Sequence, residues 1–256
     1  MLYYGLTNYY QNHRLYAKSR NDQQLRGKLS EQGGCEPYVS GNSSYPVVPC
    51  GALANSLFND SFQLFYNAPT LPQGVPVPVT KKGIAWPSDK AKRFINPPTD
   101  TNLTDAFANT QRPKNWKRDL MDLDPNILPN DTENVGLKNE DLIVWMRTAA
   151  FPTFRKLYRK VVHETPFTDG LPAGNYTLII NYSKNIVLVT HQILYSNSFS
   201  DYPVTQFDGH KRFVITTVSW LGGKNYFLGY VYIIVGAFSL AAGLLLLILF
   251  IKFGKK

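Results

Sequence analysis

Residues 225–256 read NYFLGYVYIIVGAFSLAAGLLLLILFIKFGKK. From Asn225 to Ile251 no residue is charged, and Phe227 to Ile251 gives 25 almost wholly apolar positions. A membrane-spanning helix needs about 20 such residues at about 1.5 Å each. Core helices of soluble proteins are seldom this long and this uniformly apolar. Tyr226, Tyr230 and Tyr232 crowd its start, where an aromatic belt would lie. Lys252, Lys255 and Lys256 follow its end, against Lys224 alone just before it. The positive-inside rule therefore predicts three regions: a large extracytoplasmic domain over 1–224, a transmembrane helix over 225–251 and a cytoplasmic tail over 252–256. Within the helix, Gly229, Gly236 and Gly243 recur every seven residues with Ser239 between the last two. Small residues at that period form a groove where a partner helix can approach closely.

The N-terminus sits uneasily with this topology. Met1-Leu2-Tyr3-Tyr4-Gly5 has no basic n-region and no apolar h-region, so it does not read as a signal peptide. The chain reads as starting inside something longer. Expressed as written, it is expected to stay mostly unglycosylated, and an upstream membrane helix is expected to restore delivery.

Upstream of the anchor the composition is that of a packed domain. Hydrophobic residues make up 44% of the chain, and 16 Tyr with 15 Phe favour β structure. All 18 acidic residues and 24 of the 27 basic ones lie before residue 225, leaving that region a charge of +6. Glycosylation sequons begin at Asn42, Asn59, Asn102, Asn130, Asn175 and Asn181. The only cysteines, Cys35 and Cys50, lie in a Gly/Pro-rich segment. Spacing alone leaves them open between a disulfide and two unpaired thiols. A disulfide there could contribute up to about 3 kcal/mol in an oxidising compartment.

Local patterns predict several elements. Asn8 to Arg20 has helical spacing of Tyr9, His13, Tyr16 and Ala17. Ala52 to Tyr66 reads as a short amphipathic segment, and Pro69 to Val79 as extended or polyproline-like. Residues 81–135 are loop-rich, yet Trp86, Phe94, Phe107 and Trp116 indicate that they pack. Leu142 to Met146 looks like a buried strand, whereas Phe154, Leu157, Tyr158 and Val161 follow helical spacing. Strands are expected at Tyr176 to Ile180, Ile186 to Val189 and Phe213 to Trp220. Arg147, Arg155, Lys156, Arg159 and Lys160 then form either a solvated helix face or a contact for anionic lipid headgroups or an acidic partner.

Signatures of catalysis are missing. There is no Gly-x-Ser-x-Gly elbow, no phosphate-binding Gly-x-x-x-x-Gly-Lys-Ser/Thr loop and no His-Glu-x-x-His. His163-Glu164 is followed by Thr165-Pro166-Phe167, and His13, His191 and His210 are scattered. No catalytic residue, metal site or cofactor is assigned. No base-stacking motif accompanies the basic surplus, and topology speaks against a nucleic-acid partner.

Several motifs in order resemble one family. They are Tyr3-Tyr4-Gly5-Leu6-Thr7-Asn8 with Tyr10-Gln11-Asn12-His13-Arg14; Cys35-Glu36-Pro37 through Pro49-Cys50-Gly51; and Ala54-Asn55-Ser56-Leu57-Phe58-Asn59-Asp60. Lys82-Gly83-Ile84-Ala85-Trp86, Arg93-Phe94-Ile95-Asn96-Pro97-Pro98 and the stretch from Glu140 to Arg159 follow. Leu171-Pro172-Ala173-Gly174, Phe207-Asp208-Gly209 and Ser219-Trp220-Leu221-Gly222-Gly223-Lys224-Asn225 complete the series. The chain resembles the accessory (β) subunits of type-IV P-type ATPases, the phospholipid flippases, a cell-division-control-protein-like family.

The resemblance implies an α+β membrane protein: a mainly antiparallel β ectodomain with short helices and long loops, held by membrane helices, of which this chain carries the C-terminal one. It implies a disulfide between Cys35 and Cys50 and a glycan on Asn59. It implies a non-catalytic partner of a type-IV P-type ATPase, in contact with membrane lipids, that helps the pump fold, leave the endoplasmic reticulum and complete its cycle of aminophospholipid translocation. The endoplasmic reticulum, Golgi and plasma membrane are the expected locations. The chain departs from the pattern where a first membrane helix and the first part of the ectodomain are absent, at Trp86-Pro87, and in an extra stretch over 183–201. A single-span receptor-like or adhesion ectodomain is the other reading.

Overall fold

The structure, a computed structural model, describes residues 1–39, 44–67, 74–100, 102–124, 132–182, 185–190, 208–217 and 226–254. It divides into two compact units, Met1–Thr216 and Thr217–Lys256.

The first unit is built on two antiparallel sheets. In chain order its elements are β1 (Leu2–Leu6), α1 (Arg14–Lys18), α2 (Ala52–Asn55), β2 (Ser61–Asn67), β3 (Val75–Pro76), β4 (Val79–Thr80), α3 (Pro87–Lys92), α4 (Leu103–Phe107), α5 (Glu140–Met146), β5 (Phe154–Val161), β6 (Asn175–Tyr182), β7 (Asn185–Thr190) and β8 (Lys211–Ile215). One sheet has the order β4-β5-β1-β8 and the other β3-β2-β6-β7. In β1 the alternation Leu2, Tyr4, Leu6 is buried, as a pleated strand with one face on the core requires. It occupies the centre of its sheet, between β5 and β8.

Aromatic side chains join the sheets. Tyr4 stacks on Phe58 with ring centres 4.0 Å apart, Phe62 meets Tyr158 edge-on at 5.1 Å, and Phe62 lies 5.0 Å from Phe213. Each such pair is worth about 0.5–1.5 kcal/mol beyond its burial. The Tyr158 hydroxyl also accepts the Phe62 backbone N–H at 3.0 Å.

Two expectations are reversed. Leu142 to Met146 lies in the helix α5 and is not a strand. A short continuous apolar run suits a buried helix as well as a buried strand. Here Asn139 decides, its side chain accepting the Leu142 N–H as an N-cap, with Glu140 and Asp141 in the first turn. Conversely, Phe154 to Val161 is the strand β5 and not a helix. Its alternation is disguised because the inward residue between Phe154 and Tyr158 is Lys156. A register shift adds to the disguise: Leu2 faces Arg159 while Tyr3 faces Leu157, so Tyr158 and Arg159 are both buried.

Elsewhere the helix expected over Asn8 to Arg20 shrinks to α1, preceded by Asn8 at φ 53° and by a bond from the Tyr9 N–H to the Pro152 carbonyl. Ala52 to Tyr66 divides into α2 and β2. The strands expected at Tyr176 to Ile180 and Ile186 to Val189 are β6 and β7, and β8 contains the start of the third. Residues 218–220, Pro69 to Gln73 and most of the extra stretch over 183–201 lie outside the described residues. In the loop-rich 81–135 region, Phe94, Phe107 and Trp116 are buried, while Trp86 is 54% exposed.

The second unit contains one 28-residue helix, α6 (Tyr226–Phe253). Phe227–Phe253 is long and apolar enough to cross a membrane. Its described side chains are exposed almost all round and show no amphipathic stripe.

Candidate functional site

The domain carries a cleft of about 840 Å³ between the first turn of α5, strand β5 and the start of β2. Its floor is a set of charges that face one another. Glu140 is buried, and its carboxylate accepts the backbone N–H of Gly83 at 3.1 Å, that of Ala85 at 2.9 Å and the Lys90 ammonium at 2.9 Å. Burial pushes this carboxyl up, but the Ala85 N–H, Lys90 and the Gly83 N–H outweigh it and hold the group below its ordinary value. A carboxylate so fully donated to is a structural anion and not a proton carrier. Arg159 grips Asp141 with both terminal nitrogens, at 2.6 and 3.2 Å. Lys81 reaches Asp124 at 3.0 Å and Asp141 at 3.3 Å.

Strand β5 holds α5 at its other end. The Lys156 ammonium donates to the carbonyls of Val144 (3.0 Å), Trp145 (2.6 Å) and Arg147 (2.7 Å). These are groups that a helix C-terminus leaves without intrahelical partners. Burial, and then the neighbouring Arg147, push the Lys156 ammonium well below its ordinary value. Both termini of the helix are thus occupied by the charge that its dipole favours.

This arrangement corrects the reading of the basic cluster as a solvated helix face. Lys156 and Arg159 are buried and committed. Lys160 donates to the Gly83 carbonyl, Arg155 lies over the Tyr3 ring at 5.2 Å, and Arg147 pairs with Asp89 at 3.0 Å while stacking on Trp86 at 4.7 Å. An exposed aromatic surface lies nearby. Trp86 carries Arg147 on its ring, and the segment after Arg147 runs beside residues 9–12, bound through Gln11 to the Ala149 N–H and through Asn12 to the Ala150 carbonyl. Along this seam Tyr10 is 55% and Phe151 74% exposed.

Cys35 and Cys50 are bonded to each other, with Cα atoms 5.6 Å apart. Two polar residues that sequence reasoning did not single out position their loop. Buried Gln24 accepts the Cys50 N–H at 2.8 Å and donates to the Val47 carbonyl at 2.9 Å. Ser19 donates to the Glu36 carbonyl and accepts the Ala52 N–H. The loop hands over to α2 through Gly51 at φ 99°, where an added Cβ would lie 2.1 Å from the Ser19 carbonyl oxygen. The indoles of Trp145 and Trp116 donate to the successive α2 carbonyls of Leu53 and Ala54.

A family model covers the whole of this architecture: the LEM3 (ligand-effect modulator 3) family / CDC50 family matches residues 1–256. The chain belongs to the CDC50 family. Among its relatives, cell cycle control protein 50A of Mus musculus is 46% identical over 253 residues, covering 97% of this chain and 63% of the relative. Cell cycle control protein 50B of Homo sapiens is 41% identical over 98% of this chain and 66% of its own length. ALA-interacting subunit 3 of Arabidopsis thaliana is 38% identical over 98% of this chain and 59% of its own length. The chain therefore spans just under two thirds of the length of these relatives.

The sequence-derived candidates of this CDC50-family chain occupy different places. Asn59 is exposed, and Asn181 is half-buried beside it at the same cleft, its Nδ2 donating to the Ser61 hydroxyl at 3.3 Å. Asn102 is exposed at the start of α4, and Asn175 is exposed where β6 begins opposite Asn67. Asn42 and Asn130 lie outside the described residues. Gly229, Gly236 and Gly243 are open on α6, where an added Cβ at any of them would meet nothing within 4 Å. Among the described residues no His, Cys, Asp and Glu side chains gather in threes as a metal site would require.

Proposed function

We propose that this chain is the non-catalytic accessory subunit of a type-IV P-type ATPase that translocates aminophospholipids, acting in folding of the pump, its exit from the endoplasmic reticulum and its transport cycle. The observation that carries this reading is the family match over residues 1–256, joined to a relative whose own name is that of an interacting subunit. The geometry is in keeping with it. The buried charges of the domain are spent on holding α5 and the 81–90 loop, which makes a rigid platform, while aromatic side chains stand out along the Trp86 to Phe151 seam. In this reading residues 1–224 face the lumen or exterior, 225–251 cross the membrane among its lipids and 252–256 reach the cytoplasm. Gly229, Gly236 and Gly243 then receive a helix of the ATPase. The complex passes through the endoplasmic reticulum and Golgi to the plasma membrane.

The test is co-expression with type-IV P-type ATPases, detergent extraction and affinity capture through the pump. Recovery of this chain with the ATPase, and an ATPase that leaves the endoplasmic reticulum only in its presence, are expected. Failure to co-purify with every such ATPase tried, together with surface delivery of the chain alone, would favour the receptor-like ectodomain instead.

A further inference from the structure

Every carboxylate that lines the cleft is already matched by a cation. Glu140 has Lys90 and Asp141 has Arg159. Asp124 has Lys81, Glu133 has Lys138 and Asp60 has Lys211. Lys82 and Arg118 line the same cleft, are exposed and form no ion pair among the described residues. Exposed Lys117 adds a further positive charge to the lining.

The segments that carry these cations are held in place from inside the domain. Lys82 precedes Gly83 and Ala85, whose N–H groups are bound to the buried Glu140 carboxylate. Lys117 and Arg118 follow Trp116, which is buried with its indole on the Ala54 carbonyl at 2.7 Å. The Asn115 N–H donates to Asn55 Oδ1 at 2.9 Å. Arg112 straps the loop, donating to the Lys117 carbonyl at 3.3 Å and to Asp119 at 3.5 Å. Backbone fixed in this way has little freedom left to lose on binding.

Leu57, Phe58 and Leu123 give the same cleft apolar wall. Unmatched cations in a cleft with apolar walls focus their field and draw anions in. Deeper inside, an ion would have to break an existing pair, so the rest of the ligand has to be uncharged. We propose that the cleft binds a phosphate monoester, its phosphate held by Lys82 and Arg118 and its neutral body inside. A terminal phosphate has three oxygens, enough to meet an ammonium and a guanidinium fork together. The volume of about 840 Å³ is that of clefts which hold small molecules, about 300–1,000 Å³. A free organic phosphate and a phospholipid headgroup share this chemistry, and neither depends on the ATPase partnership proposed above.

The full chain, joined to an upstream membrane helix and purified in detergent, is titrated calorimetrically with glycerol 3-phosphate and with short-chain phosphatidic acid. Lys82→Gln/Arg118→Gln is compared with Lys92→Gln/Lys114→Gln, which removes two exposed cations outside the cleft. The first pair is expected to weaken binding about a hundredfold and the second less than about threefold. In the wild type, bound glycerol 3-phosphate is expected to slow acetylation of Lys82 several-fold and leave Lys92 unchanged. Tighter binding of phosphatidic acid, lost in Lys82→Gln/Arg118→Gln, supports the site and assigns it to a lipid headgroup; equal binding of the two probes supports it and assigns it to a free phosphate. Equal loss in the two double variants, or acetylation of Lys82 indifferent to both probes, overturns the site. An acidic peptide that binds where neither phosphate does overturns it in favour of a protein partner.

Discussion

The ammonium of Lys156 donates to the carbonyl oxygen of Trp145 at 2.6 Å, inside the domain, and so ties the middle of β5 to the C-terminal turn of α5. The same nitrogen serves Val144 and Arg147, so one side chain satisfies three helix-end carbonyls. Replacing it with Met keeps the aliphatic stem and removes every donor. Lys156→Met is expected to lower stability by about 2 kcal/mol or more, read as a drop in the thermal midpoint of the purified domain. An unchanged midpoint would mean that other donors, or water, serve those carbonyls.

Acid acts at Glu140. Its folded value is held below the ordinary 4.5, so the unfolded chain binds the proton more readily. The sign follows: this stabilisation is fully present above the ordinary value and is lost as pH falls through the lowered folded value. Wild-type stability should decline below about pH 4.5, and part of that slope should vanish in Glu140→Gln. The variant should be about 2–3 kcal/mol less stable at neutral pH, because Lys90 is left without its buried partner. Parallel acid profiles for the two proteins would show that Glu140 does not drive the decline.

Gly51 offers a contrast with Gly170. Both have positive φ, 99° and 108°. An added Cβ at Gly51 would collide with the Ser19 backbone at 2.1 Å, whereas at Gly170 it meets nothing within 4 Å. Gly170→Ala should therefore cost only the left-handed penalty of about 1–2 kcal/mol. Gly51→Ala should prevent accumulation of folded protein, as judged by protease resistance of the expressed chain. Equal behaviour of the two variants would contradict the close packing at Ser19.

Cys35→Ser with Cys50→Ser opens a loop of sequence separation 15. The expected loss is about 3 kcal/mol on loop entropy. The Gln24 and Ser19 hydrogen bonds remain, so the double variant should unfold at lower temperature but still cooperatively. A calorimetric scan distinguishes that from a domain already melted at the start.

On the anchor, Gly236→Leu should weaken capture by the ATPase while leaving membrane insertion intact, since the position is open on the isolated helix. Undiminished co-purification would assign the partner contact to another face.

The elements that sequence reasoning reached are those whose pattern reports burial directly. The uniform apolarity of 227–251 marks α6, and the β-branched alternation of Thr177 and Ile179 against Leu178 and Ile180 marks β6. Strand β5 was hidden by a charged residue at an inward position and by the bulge at Tyr158, because pattern reading assumes that Lys points to water. The cleft was not legible at all. Asn59 and Asn181 are far apart in the chain and line one cleft only because Ser61 and Asn181 are register partners across β2 and β6. The fates of Gln24 and Ser19 were equally invisible, since a buried polar residue looks like any surface one until its partners are placed.

Strand β1, at the centre of its sheet, pairs Leu2 with Ile215 and Leu6 with Lys211. One edge of β1 is met by β5, but the other thus finds its sheet neighbour only after more than two hundred residues have been made. At about 5–20 residues per second, synthesis leaves β1 waiting on the order of ten seconds or more with one edge bare. During that interval the unpaired edge of β1 is open to pairing with another chain, and arrival of β8 closes it. Closure of this sheet is in this way timed to completion of the domain, just before the ribosome makes α6.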